Sequence, residues 1–257
     1  MQFTLSNTNR PTTIGYQLYW FLFQPYKWLI FVPFLGLCTV FFSLHITFII
    51  LFINNPSLAG YMAVLWARLN SWVGMMSVSV SGKANIDPNQ SYIIVSNHQS
   101  LFDILVIYGW LGIDLRWVMK QELRKVPVLG YSCEKLEHIY IDRSNARSAI
   151  ASLNAAQTRI VNGTSVIFFP EGRRSKTEEL LPFKVGAFRM AIDMGLPILP
   201  VTISGTKDIL PRGSVDLMPG RAKLVIHEPI ATTDYQLSTV KELVAVAENR
   251  IKSGLKS

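Results

Sequence analysis

No Asp, Glu, Lys or Arg occurs in residues 28–67, between Lys27 and Arg68, and Trp28 to Ile53 is almost unbroken apolar sequence. A stretch of that kind does not belong on the surface of a water-soluble domain. Cysteine is scarce: Cys38 and Cys133 lie far apart in different surroundings, which excludes a disulfide framework and a cysteine metal site and is compatible with a reducing compartment. No run of consecutive bases, zinc-ligand array or aromatic-basic repeat accompanies the net charge of +8, so nucleic acid is not the expected partner. Anionic lipid or an acidic substrate suits that charge better. A Gly-x-Ser-x-Gly elbow and a phosphate-cradling glycine loop are both missing, which argues against serine-nucleophile and nucleotide chemistry.

What charge there is lies toward the C-terminal part. Before residue 90 the bases are Arg10, Lys27, Arg68 and Lys83 and the one acid is Asp87, so the chain divides near residue 83. The expected organisation is an anchoring part, 1–83, and a catalytic part, 84–257. As a helix the 26 residues from Trp28 to Ile53 rise roughly 39 Å against a hydrocarbon core of about 30 Å, enough to cross with tilt or a bend at Pro33. A cleaved signal peptide fits poorly, because the run is too long and Asn54-Asn55-Pro56 is no small-residue cleavage site. Leu58 to Val80, with Arg68 at its middle, reads as an amphipathic helix in the interface or as a core helix. Trp20, Tyr26, Trp28, Trp66 and Trp72 cluster around both stretches, as interfacial aromatics do.

From residue 91 short β-rich runs alternate with helical ones. Strands are expected at 92–95, 138–141, 166–169, 196–203 and 222–227. Helices are expected at 101–111, 145–161, 183–194 and 236–251, three of them stopped by Gly163, Gly195 and Gly254. The fold class is therefore α/β, a single catalytic domain with a central mixed sheet flanked by helices, preceded by a hydrophobic helical membrane anchor.

Two loops carry chemistry. His98 follows the first of these strands, and Asp103 lies five residues on. A carboxylate on one imidazole nitrogen sets the tautomer and leaves the other nitrogen to accept a proton near neutral pH. Five residues on a regular helix rotate the two side chains away from each other, so the pair meets only if His98 stands outside the helix, near a cap for which Ser96 and Asn97 are suited. With four histidines in the chain, this spacing arises by chance about one time in eight, so the pair needs support from elsewhere. The second loop, Phe168 to Ser175, drops from an apolar strand into Pro170, Glu171, Gly172 and paired arginines, a composition suited to meeting an anion.

Taken in order, Asn97-His98-x4-Asp103, Ile139-Tyr140-Ile141-Asp142-Arg143, Phe169-Pro170-Glu171-Gly172-x-Arg174 and Leu196-Pro197-Ile198-Leu199-Pro200-Val201 resemble the four blocks of the glycerolipid acyltransferases. The resemblance covers about residues 80–230. It implies acyl transfer from acyl carrier protein or acyl-coenzyme A to the free sn-2 hydroxyl of lysophosphatidic acid, giving phosphatidic acid, with no metal and no cofactor beyond the donor co-substrate.

It also implies roles. His98 is the general base and Asp103 its orienting partner. Glu171 and Gly172 shape the glycerol site and Arg174 holds the phosphate. Lys120, in Val118-Met119-Lys120-Gln121, faces the phosphate as well, and Arg143 belongs to the substrate-binding set. Arg173 stands where the family has a small residue, and the glycine common ahead of the second block is absent around Glu137-His138. Lys184 is a secondary anion contact and Gly186 a packing glycine. Expected partners are lysophosphatidic acid, the acyl donor and membrane phospholipids. The expected location is a membrane, the bacterial inner membrane with the catalytic part on the cytoplasmic side. Two other readings stand beside this one: the same chemistry on another acceptor (glycerol-3-phosphate, another lysophospholipid or an aminolipid), and a non-catalytic protein that binds anionic lipid.

Overall fold

The computed structural model describes residues 13–255 except 143, 161, 162, 176 and 178. It opens with a long helix in pieces, α1 (Ile14–Tyr26) and α2 (Val32–Phe48), each followed by a π-helical segment, Lys27–Phe31 and Ile49–Ile53. The first segment has a local cause. Pro33 has no N–H for the Leu29 carbonyl and its ring crowds that turn, so the ladder widens just ahead of it.

Asn54 ends the helix in the left-handed conformation at φ 53°. Asn55 then caps α3 (Pro56–Val73), its side chain accepting from the Leu58 N–H at 3.0 Å with Pro56 in the first turn.

Seven strands follow: β1 (Met76–Ser81), β2 (Ile93–Ser96), β3 (Leu115–Lys120), β4 (Ile139–Ile141), β5 (Ser165–Phe168), β6 (Ile198–Ser204) and β7 (Gly220–Ile226). Among them lie α4 (Phe102–Trp110), α5 (Leu129–Lys135), α6 (Ala146–Ala156), α7 (Gly186–Met194) and α8 (Thr206–Ile209), and α9 (Val240–Leu255) closes the described chain. They form one sheet in the order β1-β7-β6-β2-β5-β3-β4. The five strands from β6 to β4 in that order run parallel, β7 is antiparallel to β6, and β1 is parallel to β7. The sheet is mixed, as expected.

Both faces are covered, which is why its strands read as continuous apolar runs. In β2, Ile94 joins a core beneath α3 and α4, while Ile93 and Val95 join a second core beneath α6, α7 and α9. Neighbouring strands β2 and β5 thus send the helices that follow them to opposite faces. A crevice opens between their carboxyl ends, where doubly wound sheets place their sites.

Three expectations change. Leu58 to Val80 is not one helix: Gly74 stops α3, and residues 76–81 form edge strand β1, so the sheet takes in sequence ahead of the expected boundary. Its alternating serines, with exposed side chains on one face, concealed it. Arg68 turns onto the α/β unit, its Nε donating to the Gly109 carbonyl of α4 at 2.8 Å. Strand β3 was not anticipated at all. The last helix runs past Gly254, whose Cα packs against Thr202 and His227 of β6 and its sheet neighbour, a close approach that leaves no room for a side chain.

Among the described residues one helical stretch, Gln17–Ile53, is long and apolar enough by length and composition to cross a membrane, with mean hydropathy 2.3. Phe21, Leu29, Leu37, Phe41, Leu44 and Phe52 are exposed on it, an apolar surface suited to membrane association. The stretch is also tied to the rest of the chain. The Tyr26 hydroxyl donates to the Val73 carbonyl at 2.8 Å, the Trp66 indole to the Thr39 hydroxyl at 3.1 Å, and Phe31 packs on Phe102 of α4.

Candidate active site

His98 lies in the irregular segment between β2 and α4, and the geometry follows from that. Asp103 stands in the first turn of α4, and residues 97–100 wind back around its carboxylate. Oδ2 accepts from His98 Nδ1 at 2.8 Å and from the Gln99 and Ser100 backbone N–H groups at 2.8 and 2.9 Å. The five-residue separation that a helix would make unproductive is closed by this loop.

Asn97 does not cap the helix. Its side-chain amide is buried against β6, donating to the Ile203 carbonyl and accepting from the Ile203 N–H, both at 2.8 Å. The segment is thereby fixed to the neighbouring strand immediately before the histidine.

Asp103 is fully buried and the His98 side chain is 14% exposed, so solvent and substrate meet the imidazole and not the acid. The second carboxylate oxygen, Oδ1, accepts from the Thr206 hydroxyl at the start of α8. Four donors converge on one carboxylate and fill its acceptor capacity. With Asp103 accepting at Oδ2, His98 carries its proton on Nδ1. Nε2 is left with a free lone pair, the arrangement of a proton acceptor.

The ring is stacked on Phe169, the residue after β5, with centroids 3.9 Å apart and planes within 10°. Phe169 in turn packs on Trp117 of β3. Thr206 was not found from the sequence, because a lone threonine carries no local signal, and Phe169 was read as part of the arginine-loop block but not as the partner of His98.

The loop after β5 is built onto the His98 segment. Glu171 Oε1 accepts from the His98 N–H at 2.7 Å, Oε2 accepts from the Leu181 N–H at 2.9 Å, and the Ser175 N–H donates to the His98 carbonyl at 2.7 Å. Both Glu171 oxygens are engaged with backbone donors, so this carboxylate ties three stretches of chain together. Burial pushes its pKa up, and the two N–H donors oppose that.

Gly172 sits at φ 71°, a conformation that favours glycine, with the Lys184 side chain packed against it so closely that a Cβ would stand 3.0 Å from Nζ. Arg174 is half-buried and lies in the field of Asp103. Arg173 points to solvent.

Lys120 ends β3, exposed and 2.8 Å from Glu122, two strands from β2 and so roughly 10 Å along the sheet edge. Arg143 lies outside the described residues. His98, Asp103, Glu171, Gly172 and Arg174 are thus brought together, with Lys120 at the flank. Gly186 opens α7, and a Cβ there would meet nothing within 4 Å, so packing does not account for it.

His138, expected at the start of β4, has no place in the site. It is buried beneath α4 against the Tyr108 hydroxyl at 2.6 Å, and burial lowers its pKa to about 3, so it stays neutral.

Known proteins are similar to this chain in sequence and in architecture. A chloroplastic 1-acyl-sn-glycerol-3-phosphate acyltransferase of Brassica napus is 34% identical over 172 residues, 66% of this chain and 49% of its own length. The mouse 1-acyl-sn-glycerol-3-phosphate acyltransferase alpha is 34% identical over 157 residues, 60% of this chain and 55% of its own. The chain spans about half the length of these curated relatives. The crystal structure of the 1-acyl-sn-glycerophosphate (LPA) acyltransferase from Thermotoga maritima superposes with a TM-score of 0.78 at 28% identity, covering 93% of this chain and 96% of that one. The sequence model of the acyltransferase family matches residues 77–204, from β1 through the histidine loop and the arginine loop to the end of β6, and the chain belongs to that family.

Proposed function

We propose that the protein transfers an acyl chain from acyl-coenzyme A or acyl carrier protein to the sn-2 hydroxyl of lysophosphatidic acid, forming phosphatidic acid. The observation that carries this reading is the His98–Asp103 pair, its carboxylate fixed by the Gln99 and Ser100 N–H groups and the Thr206 hydroxyl, beside the half-buried Arg174, which forms no ion pair among the described residues. In the transfer, His98 Nε2 takes the proton of the acceptor hydroxyl as its oxygen attacks the thioester carbonyl. The imidazolium so formed is stabilised by Asp103. The thiolate leaves and takes up a proton, and His98 returns to its neutral form. Glu171 holds the His98 backbone in place, Gly172 shapes the acceptor pocket, and Arg174 binds the acceptor phosphate, with Lys120 farther along the same edge and Arg143 in the same substrate-binding set.

The apolar helix fits an acceptor and a product that both reside in a bilayer. Under this reading the location is the bacterial inner membrane, with the crevice facing the cytoplasm from which a soluble donor arrives. Reporter fusions at Ser257 landing outside the cell would overturn that orientation.

Release of free thiol from acyl-coenzyme A, dependent on added lysophosphatidic acid, tests the function directly. Transfer to glycerol-3-phosphate or a lysolipid without a phosphomonoester, in preference to lysophosphatidic acid, would redirect it. Binding of anionic lipid without thiol release would sink it.

Thr206→Val is expected to lower kcat about tenfold or more with KM unchanged, since a charge-assisted hydrogen bond of about 1.5–3 kcal/mol then no longer sets the Asp103 carboxylate. Thr206→Ser keeps the hydroxyl and is expected to keep the rate; a loss as large as that of the valine variant would count against the assignment. Arg174→Gln is expected to raise the half-saturating concentration of lysophosphatidic acid by about 10-fold or more and to affect a neutral lysolipid little. Lys120→Gln acts in the same sense but by only a few-fold, because its ammonium is exposed and already shared with Glu122. Equal effects on charged and neutral acceptors would refute the phosphate assignment.

A further inference from the structure

We infer that Arg212, on the loop between α8 and β7, is a second headgroup-binding residue that makes the acceptor site select a phosphomonoester over a phosphodiester, an inference that rests on the acceptor reading above and narrows it. Arg212 Nη1 donates to the Arg174 carbonyl at 2.5 Å, which places a second guanidinium on the arginine loop itself. Among the described residues no carboxylate forms an ion pair with either arginine.

Two like charges brought together at a half-buried position repel each other. Burial and the Arg212 charge both hold the Arg174 guanidinium below the usual arginine range. An incoming anion relieves that repulsion, and relieves it more the greater its charge. A phosphomonoester carries about −1.5 to −2 at neutral pH, with three oxygens free to take a fork from each guanidinium. A phosphodiester carries a single charge on two such oxygens and has less to offer a second arginine.

Arg212 is also held in place. The Ser100 hydroxyl, two residues from His98, donates to the Leu210 carbonyl at 2.7 Å. Four residues beyond Arg212 the Trp20 indole donates to Asp216, and Lys27 Nζ donates to the Val215 carbonyl at 3.3 Å. The loop that carries Arg212 is therefore pinned to the histidine segment on one side and to the apolar helix on the other, where a lipid headgroup and its tail would part company.

A purely structural role, bracing the arginine loop through the Arg174 carbonyl, is separable. Gln at position 212 retains an N–H for that carbonyl and loses the charge, whereas Lys retains both a donor and the charge. In full-length protein, Arg212→Gln is expected to raise KM for lysophosphatidic acid about 10-fold and to change KM for lysophosphatidylglycerol, a phosphodiester, less than about twofold. Arg212→Lys is expected to recover most of the loss. An equal loss on both acceptors, or unchanged selectivity, overturns the inference. Should wild-type protein acylate neither acceptor, the function proposed above fails. Calorimetric binding of glycerol-3-phosphate then decides Arg212 alone: weaker binding by Arg212→Gln sustains its role, and equal binding ends it.

Discussion

Replacing His98 by alanine is expected to lower acyl transfer by about 10²–10⁴-fold, the usual worth of a general base, in a protein that remains folded. The fold survives because nothing structural hangs on the imidazole. The segment is held through its backbone, by Glu171 on the His98 N–H, by the Ser175 N–H on the His98 carbonyl, and by Asn97 on β6. Asp103 is not orphaned either. It keeps the Gln99 and Ser100 amides and the Thr206 hydroxyl after the ring is gone, so no bare buried charge is left. What is lost is the stack on Phe169, worth about 1 kcal/mol, and one of the four hydrogen bonds on the Asp103 carboxylate, worth about 1.5–3 kcal/mol. The measurement is lysophosphatidic-acid-dependent thiol release beside a thermal melt. A cooperative melt near that of the wild type together with retained transfer would remove His98 from the mechanism.

Asp103 divides into two experiments because its carboxylate does two jobs. Asn at this position keeps one oxygen to accept the Gln99 and Ser100 N–H groups, so the loop is expected to stay closed and the melting temperature to shift little. The charge that stabilises the imidazolium is gone, and with it about 10²–10⁴ in kcat.

Alanine removes the acceptor altogether. Two buried backbone N–H groups are then unsatisfied at about 1–3 kcal/mol each, enough to lower the melting temperature by several degrees as well as abolish transfer. The contrast in stability between the Asn and Ala variants is the informative quantity. If both melt alike, the carboxylate does not organise the histidine loop. If Asn retains wild-type kcat, it does not serve the imidazole.

Most of the strands around the site were legible because a sheet buried on both faces writes itself as short apolar runs. Tyr92 to Val95, Val166 to Phe169 and Leu196 to Ile203 were read within one or two residues of β2, β5 and β6. β1 escaped because it lies at the sheet edge, where alternate serines face outward. β3, Leu115–Lys120, escaped because Arg116 and Lys120 interrupt its apolar pattern.

Gly195 stops α7 in the left-handed conformation, as its position suggested. Gly254 is there for another reason, the close approach of β6, which no local pattern announces.

The sequence by itself determined the division into an uncharged N-terminal stretch and an α/β unit, the pairing of a histidine with an aspartate five residues on, and the arginine loop. The first is a matter of composition and period, the other two of spacing backed by the resemblance to the four ordered family blocks, and all are carried by residues near one another in the chain. Only the tertiary structure decided how that pair meets, since the loop must wind around the carboxylate for a separation of five to work. Only it supplied Thr206 from beyond the end of β6, the stack of Phe169 on the imidazole, and the Arg212 that reaches Arg174 from 38 residues away. Parallel strands distant in sequence deliver their carboxyl ends to one edge, and side chains that converge there share no local pattern.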